Sequence, residues 1–585
     1  MLRRTSLGLK KILIFTLVII VGIGLSVKAA GTLPKKLDPL AADTIYVNGT
    51  IITMDEDSFS DEAVAVKDGK IIAVGSNKDI KKLASKSTKT VNITGKVLLP
   101  GLIDAHSHYP SSGLSGTVYV DLNSPPVGTV EGIKDIISLL GEQAKEAQEE
   151  DWILGRGYDQ TLVEEKRHPT RDDLDKVSKI HPISITHTSG HLAVANSVAL
   201  TLAGITKDTL DPDGGKIWRD PKTGEPTGVL EESATQLVSK HVPPVSYEKN
   251  IEAVKEATKQ YAAAGVTTSI IAGGGKQSII DLQQYSKKDL LPIRFTMMGT
   301  GGGLGDLSES PGELGGVISG FGSDMLKLGA VKMWQDGSIQ GYTGYLSEPY
   351  HVQPGDDPDY RGHPLQSREK LTKRVTELHK AGYQIAIHGN GDAAIDDIIY
   401  AFRKAQEAHP REDARHRIEH AQMAREDQLD EIKELDLTPS FYVSHTFFWG
   451  DQHWETFMGP ERAARMSPLK SAVKRDIKFS VHLDTPVTPM SPLQAVWSAV
   501  NRTARSGEVI GAEQRVTPIE ALRAVTIDAA WQNFEEDIKG SIEPGKYADF
   551  VILADNPLTI DPKKIKDIKI LETIVEGETV YKDGK

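Results

Sequence analysis

Two histidines end the apolar run Leu99-Pro100-Gly101-Leu102-Ile103-Asp104-Ala105-His106-Ser107-His108. Such a run is typical of a buried β-strand, and alternate residues of a strand point to the same side. His106 and His108 can therefore face one point, as two ligands of one metal ion must. The pair suggests a metal hydrolase, although a His-x-His motif alone arises often by chance, so the rest of the chain has to support it.

Apolar strands alternate with amphipathic helices from this run to about residue 534. That alternation is typical of a parallel sheet, and at this length it predicts an α/β fold with a closed, TIM-like (β/α)8 barrel. The predicted barrel strands are the run that ends at His106 and His108, then 266–271, 292–298, 328–334, 384–388, 417–420, 438–443 and 479–484.

Residues 109–246 do not follow the rhythm of the barrel. They contain a further apolar strand at 182–186 and turns rich in glycine, proline and aspartate, such as 211–215. We therefore expect an insertion after the first strand. Inserted segments at the carboxyl end of barrel strands usually form part of the mouth of the active site.

Both ends of the chain have the pattern of β-hairpins. Short alternating strands surround Asn48-Gly49 and Asp68-Gly69, and the same texture returns after residue 548. We expect the two ends to build one composite β-sandwich that the barrel interrupts. The predicted domains are a β-sandwich at 43–99 plus 538–585 and a hydrolase barrel at 100–537.

The composition excludes several classes of protein. Lys and Arg number 68 against 81 Asp and Glu, and the net charge of −13 would repel a nucleic acid, so the expected partner is a small-molecule substrate. The absence of cysteine excludes thiolate ligands and a cysteine nucleophile. A metal would have to sit on nitrogen and oxygen ligands, which suits zinc, manganese, iron or nickel. The sequence leaves a homo-oligomer open.

The first residues differ from the rest of the chain. Four basic residues precede an uncharged apolar run at 12–27, and small residues at Val27-Lys28-Ala29 offer a cleavage site. We expect residues 1–29 to be a signal peptide, or an uncleaved membrane anchor, followed by a linker at 30–42. Either role predicts export, to the outside or the cell envelope, with membrane contact only through the uncleaved segment.

Residues of the types that bind metals recur at the predicted strand ends. In a barrel these ends converge on one face, where catalytic residues lie. Four imidazoles there would suffice for two metal ions if a bridging anion is also present. The recurring residues are His106, His108, Lys332, His388, His420 and Asp484.

Lys332 and Asp484 need separate explanations. Apolar neighbours predict that Lys332 is buried, which would lower its pKa and favour carboxylation by CO2 to an anionic bridge between two metals. The alternative is a lysine paired with a carboxylate such as Asp336. Asp484, which ends the last strand before Pro486, could bind metal and pass a proton from an activated water to a leaving nitrogen. Its alternative role is that of a turn or helix-capping aspartate.

Several motifs in order resemble the amidohydrolase-3 branch of the amidohydrolase superfamily, which includes formamide deformylase-like proteins. They are 100–108, Val331-Lys332-Met333-Trp334-Gln335-Asp336-Gly337-Ser338, Arg417-Ile418-Glu419-His420-Ala421-Gln422 and 540–549. The resemblance implies a distorted barrel with a composite β-sandwich. It also implies a site with one or two metals, usually zinc, formed by the six residues above. His482, where relatives often carry a smaller residue, departs from the pattern and bears on the shape of the pocket.

Further residues are candidates for contact with a substrate. His445 could polarise a carbonyl, and the candidates for the pocket and lid are Tyr158, Asp159, His191, Trp449 and His453. Each could equally be a packed aromatic or a satisfied polar group.

The expected activity is metal-dependent hydrolysis of carbon–nitrogen bonds other than peptide bonds, in a small amide, N-substituted formamide or cyclic amide. The alternatives are an ester hydrolase, a deaminase, or a secreted non-catalytic binding or regulatory protein.

Overall fold

The structure is a computed structural model that describes residues 41–56, 60–149, 151–300 and 320–584. The predicted signal or anchor at 1–29 and nearly all of the predicted linker lie outside the described residues. Among the helices of the described ranges, none combines the length and the apolar character that crossing a membrane requires.

Eight parallel strands, numbered here as barrel strands, form one sheet in chain order, which confirms the predicted fold class. Each predicted strand overlaps one of them. The strands are β1 (Leu102–Ser107), β2 (Val266–Gly274), β3 (Arg294–Thr300), β4 (Leu326–Trp334), β5 (Ile385–Gly389), β6 (Arg417–His420), β7 (Thr438–Phe441) and β8 (Ser480–Val481).

The barrel closes between β8 and β1 at their carboxyl ends. The backbone N–H of Asp484 donates to His106 O at 3.2 Å, and that of His108 donates to Thr485 O at 2.7 Å. Further down, Ile103 and Val481 donate instead to carbonyls of the 524–525 segment, so the barrel is distorted. β8 is shorter than its prediction, 479–484, because Asp484 has a left-handed φ of 54°, which extended backbone does not allow.

Amphipathic helices pack on the outside of the sheet. In the helix Asp392–Ala408 the residues Ile395, Ile398, Ile399 and Phe402 recur at helical spacing and are fully buried against the strands. The helices of this layer are Tyr247–Ala263, Lys276–Lys287, Arg368–Lys380, Asp392–Ala408, Glu426–Glu434, Leu469–Val473, Pro492–Asn501, Pro518–Arg523 and Ile527–Trp531.

Two further sheets join both ends of the chain in a β-sandwich, as the fold prediction requires. Val97–Pro100 pairs with Phe550–Leu553 in antiparallel fashion, so the first and last parts of the chain share one sheet. The four-stranded sheet contains Thr44–Val47, Ala63–Lys67, Lys70–Gly75 and Lys89–Asn92. The six-stranded sheet contains Thr50–Ile52, Ser60–Asp61, Val97–Pro100, Phe550–Leu553, Ile570–Val575 and Glu578–Lys582.

A buried ion pair holds the barrel and the sandwich together. Arg294, the first residue of β3, donates through Nε to Asp549 Oδ2 at 2.6 Å and through Nη2 to Asp549 Oδ1 at 3.1 Å. Both side chains are almost fully buried, and a two-point pair of this kind fixes the angle between the groups as well as their distance.

A fourth sheet lies between β1 and β2 in the chain. Its order is Gly215–Arg219, Pro226–Glu232, Leu192–Ala195, Ile183–His187, Ile153–Tyr158 and Val120–Asp121. The helices Ile133–Glu146, Arg171–Leu174, Ser197–Leu202 and Gln236–Ser239 accompany it. Gln160 Nε2 donates to Gln340 O, in the segment after β4, at 3.0 Å. The inserted sheet is therefore fastened to the carboxyl-end face of the barrel.

Candidate metal centre

The six predicted ligand residues all line one cavity of about 280 Å³ at the carboxyl ends of the strands. Its barrel side is formed by His106, His108, Lys332, Trp334, His388, His420, Asp484 and Val487. Each of the ligand residues stands within three residues of the carboxyl end of its strand, where a parallel barrel brings side chains from different strands together.

Within the described part of the chain, two groups of three side chains are compact enough to hold an ion. His106, His420 and His482 form one group, and His106, His108 and Asp484 form the other. The ligand atoms within each group lie within 4.8 Å of one another. His106 belongs to both groups, so its ring is the centre of the arrangement.

A buried carboxylate sets the tautomer of His106. Glu419 Oε2 contacts His106 Nδ1, and Arg417 Nε donates to Glu419 Oε1 at 2.7 Å. Burial alone would raise the pKa of Glu419, but Arg417 and His106 lower it well below its usual range. An ionised carboxylate accepts a hydrogen bond from the Nδ1–H of the imidazole, which leaves the Nε2 lone pair facing the cavity.

Asp484 provides the test of whether a cation fits. Its Oδ1 lies 3.0 Å from His108 Nε2 and 3.3 Å from His106 Nε2. Neither contact has hydrogen-bond geometry, so this buried oxygen has no hydrogen-bond partner among the described residues. Two ring nitrogens thus converge on one carboxylate oxygen. A divalent cation satisfies such a donor set, and only nitrogen and oxygen donors are present, as in many zinc sites.

The protonation states suit a metal centre. Burial lowers the pKa of His108, His388, His420 and His482, so these imidazoles are neutral near pH 7, as metal ligands must be. Burial opposes ionisation of Asp484, but the neighbouring His106 and His108 hold its pKa well below the usual range. The carboxylate is therefore ionised.

Lys332 lies among these ligands without a carboxylate partner. Its side chain is 1% exposed and its Nζ lies 3.5 Å from His106 Nε2. Among the described residues no carboxylate lies within ion-pair distance of Nζ. The alternative pairing with Asp336 is not found, because that carboxylate accepts the backbone N–H groups of Tyr345, Asn390 and Gly391 instead. Burial lowers the pKa of Lys332 to about 8.

His482 joins the cluster, although the sequence indicated it only as a departure from the family pattern. Its Nε2 lies 3.0 Å from His420 Nδ1, and its Nδ1 lies 2.8 Å from Ser440 Oγ. Its ring stacks on that of His106 with 4.7 Å between centroids. Glu419 and Arg417 were also missed as functional residues. Alternate charged residues in a short buried strand could have indicated that these two side chains pair.

Of the residues predicted to contact a substrate, His191 lines the cavity. Its Nδ1 lies 2.8 Å from Glu232 Oε2, and its ring lies 5.2 Å from that of His388. The other five do not line this cavity; they are Tyr158, Asp159, His445, Trp449 and His453.

One pair among these five residues, Trp449 and Asp159, connects the loop after β7 to the insertion. Trp449 Nε1 donates to Asp159 Oδ2 at 2.7 Å, and His445 Nδ1 lies 3.0 Å from His453 Nε2. The His445 ring packs on Tyr442, with 4.4 Å between centroids. Their observed contacts are those of groups that position the wall of the site.

Comparison with known proteins shows which family the sequence of this chain matches. The sequence profile of the amidohydrolase family matches residues 89–581. Protein LONG AFTER FAR-RED 3 of Arabidopsis thaliana is 32% identical over 565 residues, which cover 94% of this chain and 93% of that protein. N-substituted formamide deformylase of Arthrobacter pascens is 27% identical over 550 residues, which cover 92% and 98%. An uncharacterized metal-dependent hydrolase of Pyrococcus horikoshii OT3 has a TM-score of 0.69 and 26% identity, and the match covers 89% of this chain and 99% of that structure.

Proposed function

This chain belongs to the amidohydrolase family, and on that basis we propose that it is a metal-dependent hydrolase of carbon–nitrogen bonds other than peptide bonds. The substrate in this proposal is a small amide, an N-substituted formamide or a cyclic amide. The observation that carries it is the convergence of four imidazoles, Lys332 and an ionised Asp484 on one cavity. The formamide bond named for the Arthrobacter relative and the metal dependence named for the Pyrococcus structure support it.

In this proposal some residues of the chain hold the metal and others orient a ligand or move a proton. The residues that would hold one or two divalent cations, zinc in our proposal, are His106, His108, Lys332, His388, His420 and Asp484. When bound, the cation supplies Lewis acidity and a water molecule that is acidic near neutral pH. Glu419 would orient His106, and Asp484 would accept a proton from the attacking water and pass it to the leaving nitrogen. A C–O bond forms at the carbonyl carbon as the C–N bond breaks.

His445 has a supporting role in this proposal. Its ring packs on Tyr442, and the Tyr442 ring lies 5.1 Å from that of His482. Burial lowers the pKa of His445 well below its usual range, so the imidazole is neutral. We assign it as a positioning residue that supports His482, and not as a group that touches the substrate carbonyl.

The decisive experiment measures metal and activity on the same sample. The full-length protein is purified without chelator and its metals are counted by elemental mass spectrometry, and it is then assayed on N-substituted formamides, cyclic amides, esters and amino-substituted heterocycles. We expect one or two equivalents of zinc or a similar ion, and amide hydrolysis that a chelator removes and added zinc restores. Turnover of esters alone, or ammonia release alone, would instead support an ester hydrolase or a deaminase. A folded protein that takes up no metal would support the non-catalytic alternative.

Carboxylation of Lys332 gives a separate prediction. The neutral amine is the form that reacts with CO2, and since the pKa is about 8, carboxylation should increase as the pH rises toward that value. Native mass spectrometry of the metal-loaded protein in bicarbonate should show the added mass of one CO2, with a smaller fraction at about pH 6, where the ammonium form prevails.

The control for this measurement is Lys332→Met, which removes the amine and keeps an unbranched side chain of similar length. This variant should lack the added mass at every pH. Wild-type protein that binds its metals without the added mass would show that Lys332 is not carboxylated.

A further inference from the structure

The wall of the cavity opposite the metal ligands comes from the inserted sheet and contains a cation without a partner. Arg156, Ser189, Gly190 and His191 line this wall. Among the described residues, the Arg156 guanidinium has no hydrogen bond, ion pair or aromatic contact. Among the described residues, three arginines are fully buried, and all three are paired: Arg294 with Asp549, Arg417 with Glu419, and Arg502 with four backbone carbonyls.

The local backbone is built to place Arg156 at this point. It lies in the strand Ile153–Tyr158 between two glycines, and the pairing with Ile183–His187 shifts register between Arg156 and Tyr158. Gly157 has a φ of 101°, and a Cβ there would lie 2.6 Å from the side chain of Asn123. Bulges of this kind re-aim a side chain and are common beside active sites. The irregular strand therefore turns the guanidinium toward the cavity at the cost of regular pairing.

The carboxylates around the cavity are already engaged. Asp484, the only carboxylate among the residues that line it, is held between His106 and His108. Glu232 pairs with His191, and Glu419 pairs with Arg417 and His106. Burial lowers the pKa of Arg156, but a guanidinium keeps its charge at neutral pH. The Arg156 side chain is half-buried. A charge partly withdrawn from water and without a partner is unfavourable, and a ligand that brings the opposite charge reduces that cost.

We propose that Arg156 binds a carboxylate of the substrate, which makes N-formyl and N-acyl amino acids the substrate class of this hydrolase. The planar guanidinium matches a carboxylate in a two-point pair. The inference rests on the proposed function and deepens it. One water is consumed: a C–O bond forms at the acyl carbon, the C–N bond breaks, and the amino nitrogen takes a proton, giving a carboxylic acid and the free amino acid.

The test uses substrates that differ only in charge. Wild-type protein and the Arg156→Gln variant are assayed on N-formyl and N-acetyl amino acids and on the corresponding carboxamides. In the wild type we expect kcat/KM to favour the carboxylates. Arg156→Gln should lower kcat/KM for the carboxylates by about 50-fold, mainly through KM, since the contact is present in ground and transition states alike. Turnover of the carboxamides should change less than about 3-fold.

Two comparisons separate this contact from a general loss of structure. Arg219→Gln removes an arginine of the same inserted sheet that pairs with Asp211 away from the cavity, and it should behave as wild type. Arg156→Lys keeps the charge but loses the two-point geometry, so it should restore part of the preference. An equal loss for carboxylates and carboxamides in Arg156→Gln would overturn the proposal.

Binding measured without turnover distinguishes the two proposals. Calorimetry with N-acetyl amino acids and their carboxamides is performed on the metal-loaded wild type and on Arg156→Gln. Carboxylate binding that depends on Arg156, in a protein that hydrolyses no amide, would refute the proposed function and keep the carboxylate site. Hydrolysis of neutral formamides by a protein whose carboxylate binding does not change in Arg156→Gln would refute the carboxylate site and keep the proposed function.

Discussion

Replacement of Asp484 by asparagine should abolish amide hydrolysis while the protein keeps its metal. The amide retains an oxygen ligand and the four imidazoles remain, so the ion stays bound. The amide cannot accept the proton of the attacking water, however, and removal of a positioned proton acceptor costs about 10³-fold in kcat. Rates and elemental analysis on the same sample test both parts of the prediction.

The matched control is Asp451→Asn. Asp451 is also an aspartate of the barrel's carboxyl-end loops, but it bonds to Ser506 and does not line the cavity. This variant should keep the wild-type rate. An Asp484→Asn protein that hydrolyses amides at the wild-type rate would remove Asp484 from the mechanism, and one that has lost its metal would show that the carboxylate serves mainly as a ligand.

Replacement of His106 by alanine should remove the metal altogether. Its ring is shared by both groups of candidate ligands found among the described residues and stands between Glu419 and Asp484, so its loss disrupts both groups. We expect metal per chain to fall from one or two equivalents to near zero, and activity to fall with it. Elemental mass spectrometry after dialysis against chelator-treated buffer measures the metal content per chain.

His241→Ala is the control, because His241 is an exposed histidine outside the cavity. It should retain full metal content. Circular dichroism of His106→Ala shows whether the barrel survives the loss of the ring. Wild-type metal content in a folded His106→Ala protein would place the metal elsewhere.

The barrel could be predicted because its strands are short apolar runs bounded by turns and helices. β6 has the bounds that the sequence indicates, 417–420, and the ends of the other strands differ by a few residues. β8 differs most, since the left-handed backbone at Asp484 ends its extended part early. Such a dihedral angle depends on the closing contacts with His106 and His108, which lie far away in the chain.

The metal ligands could be predicted because each stands at a strand end, where the topology itself brings residues together. Glu419 and Arg156 could not be assigned in the same way. The role of Glu419 depends on a contact with His106 from a distant part of the chain, and that of Arg156 depends on how an irregular insertion folds over the barrel. A sequence indicates which residues carry charge, but an unpaired charge becomes visible only when all its neighbours are known.

The pairing of Val97–Pro100 with Phe550–Leu553 has a consequence for how the molecule is made. The two strands are separated by the entire barrel in the chain, so the sheet has a very high contact order and its centre cannot form until residues 550–553 have been synthesised. The ion pair between Arg294 and Asp549 forms equally late. The nascent chain must therefore keep the apolar edge of the strands before the barrel protected until residues 550–553 emerge, and a ribosome that stalls before them would release an aggregation-prone protein.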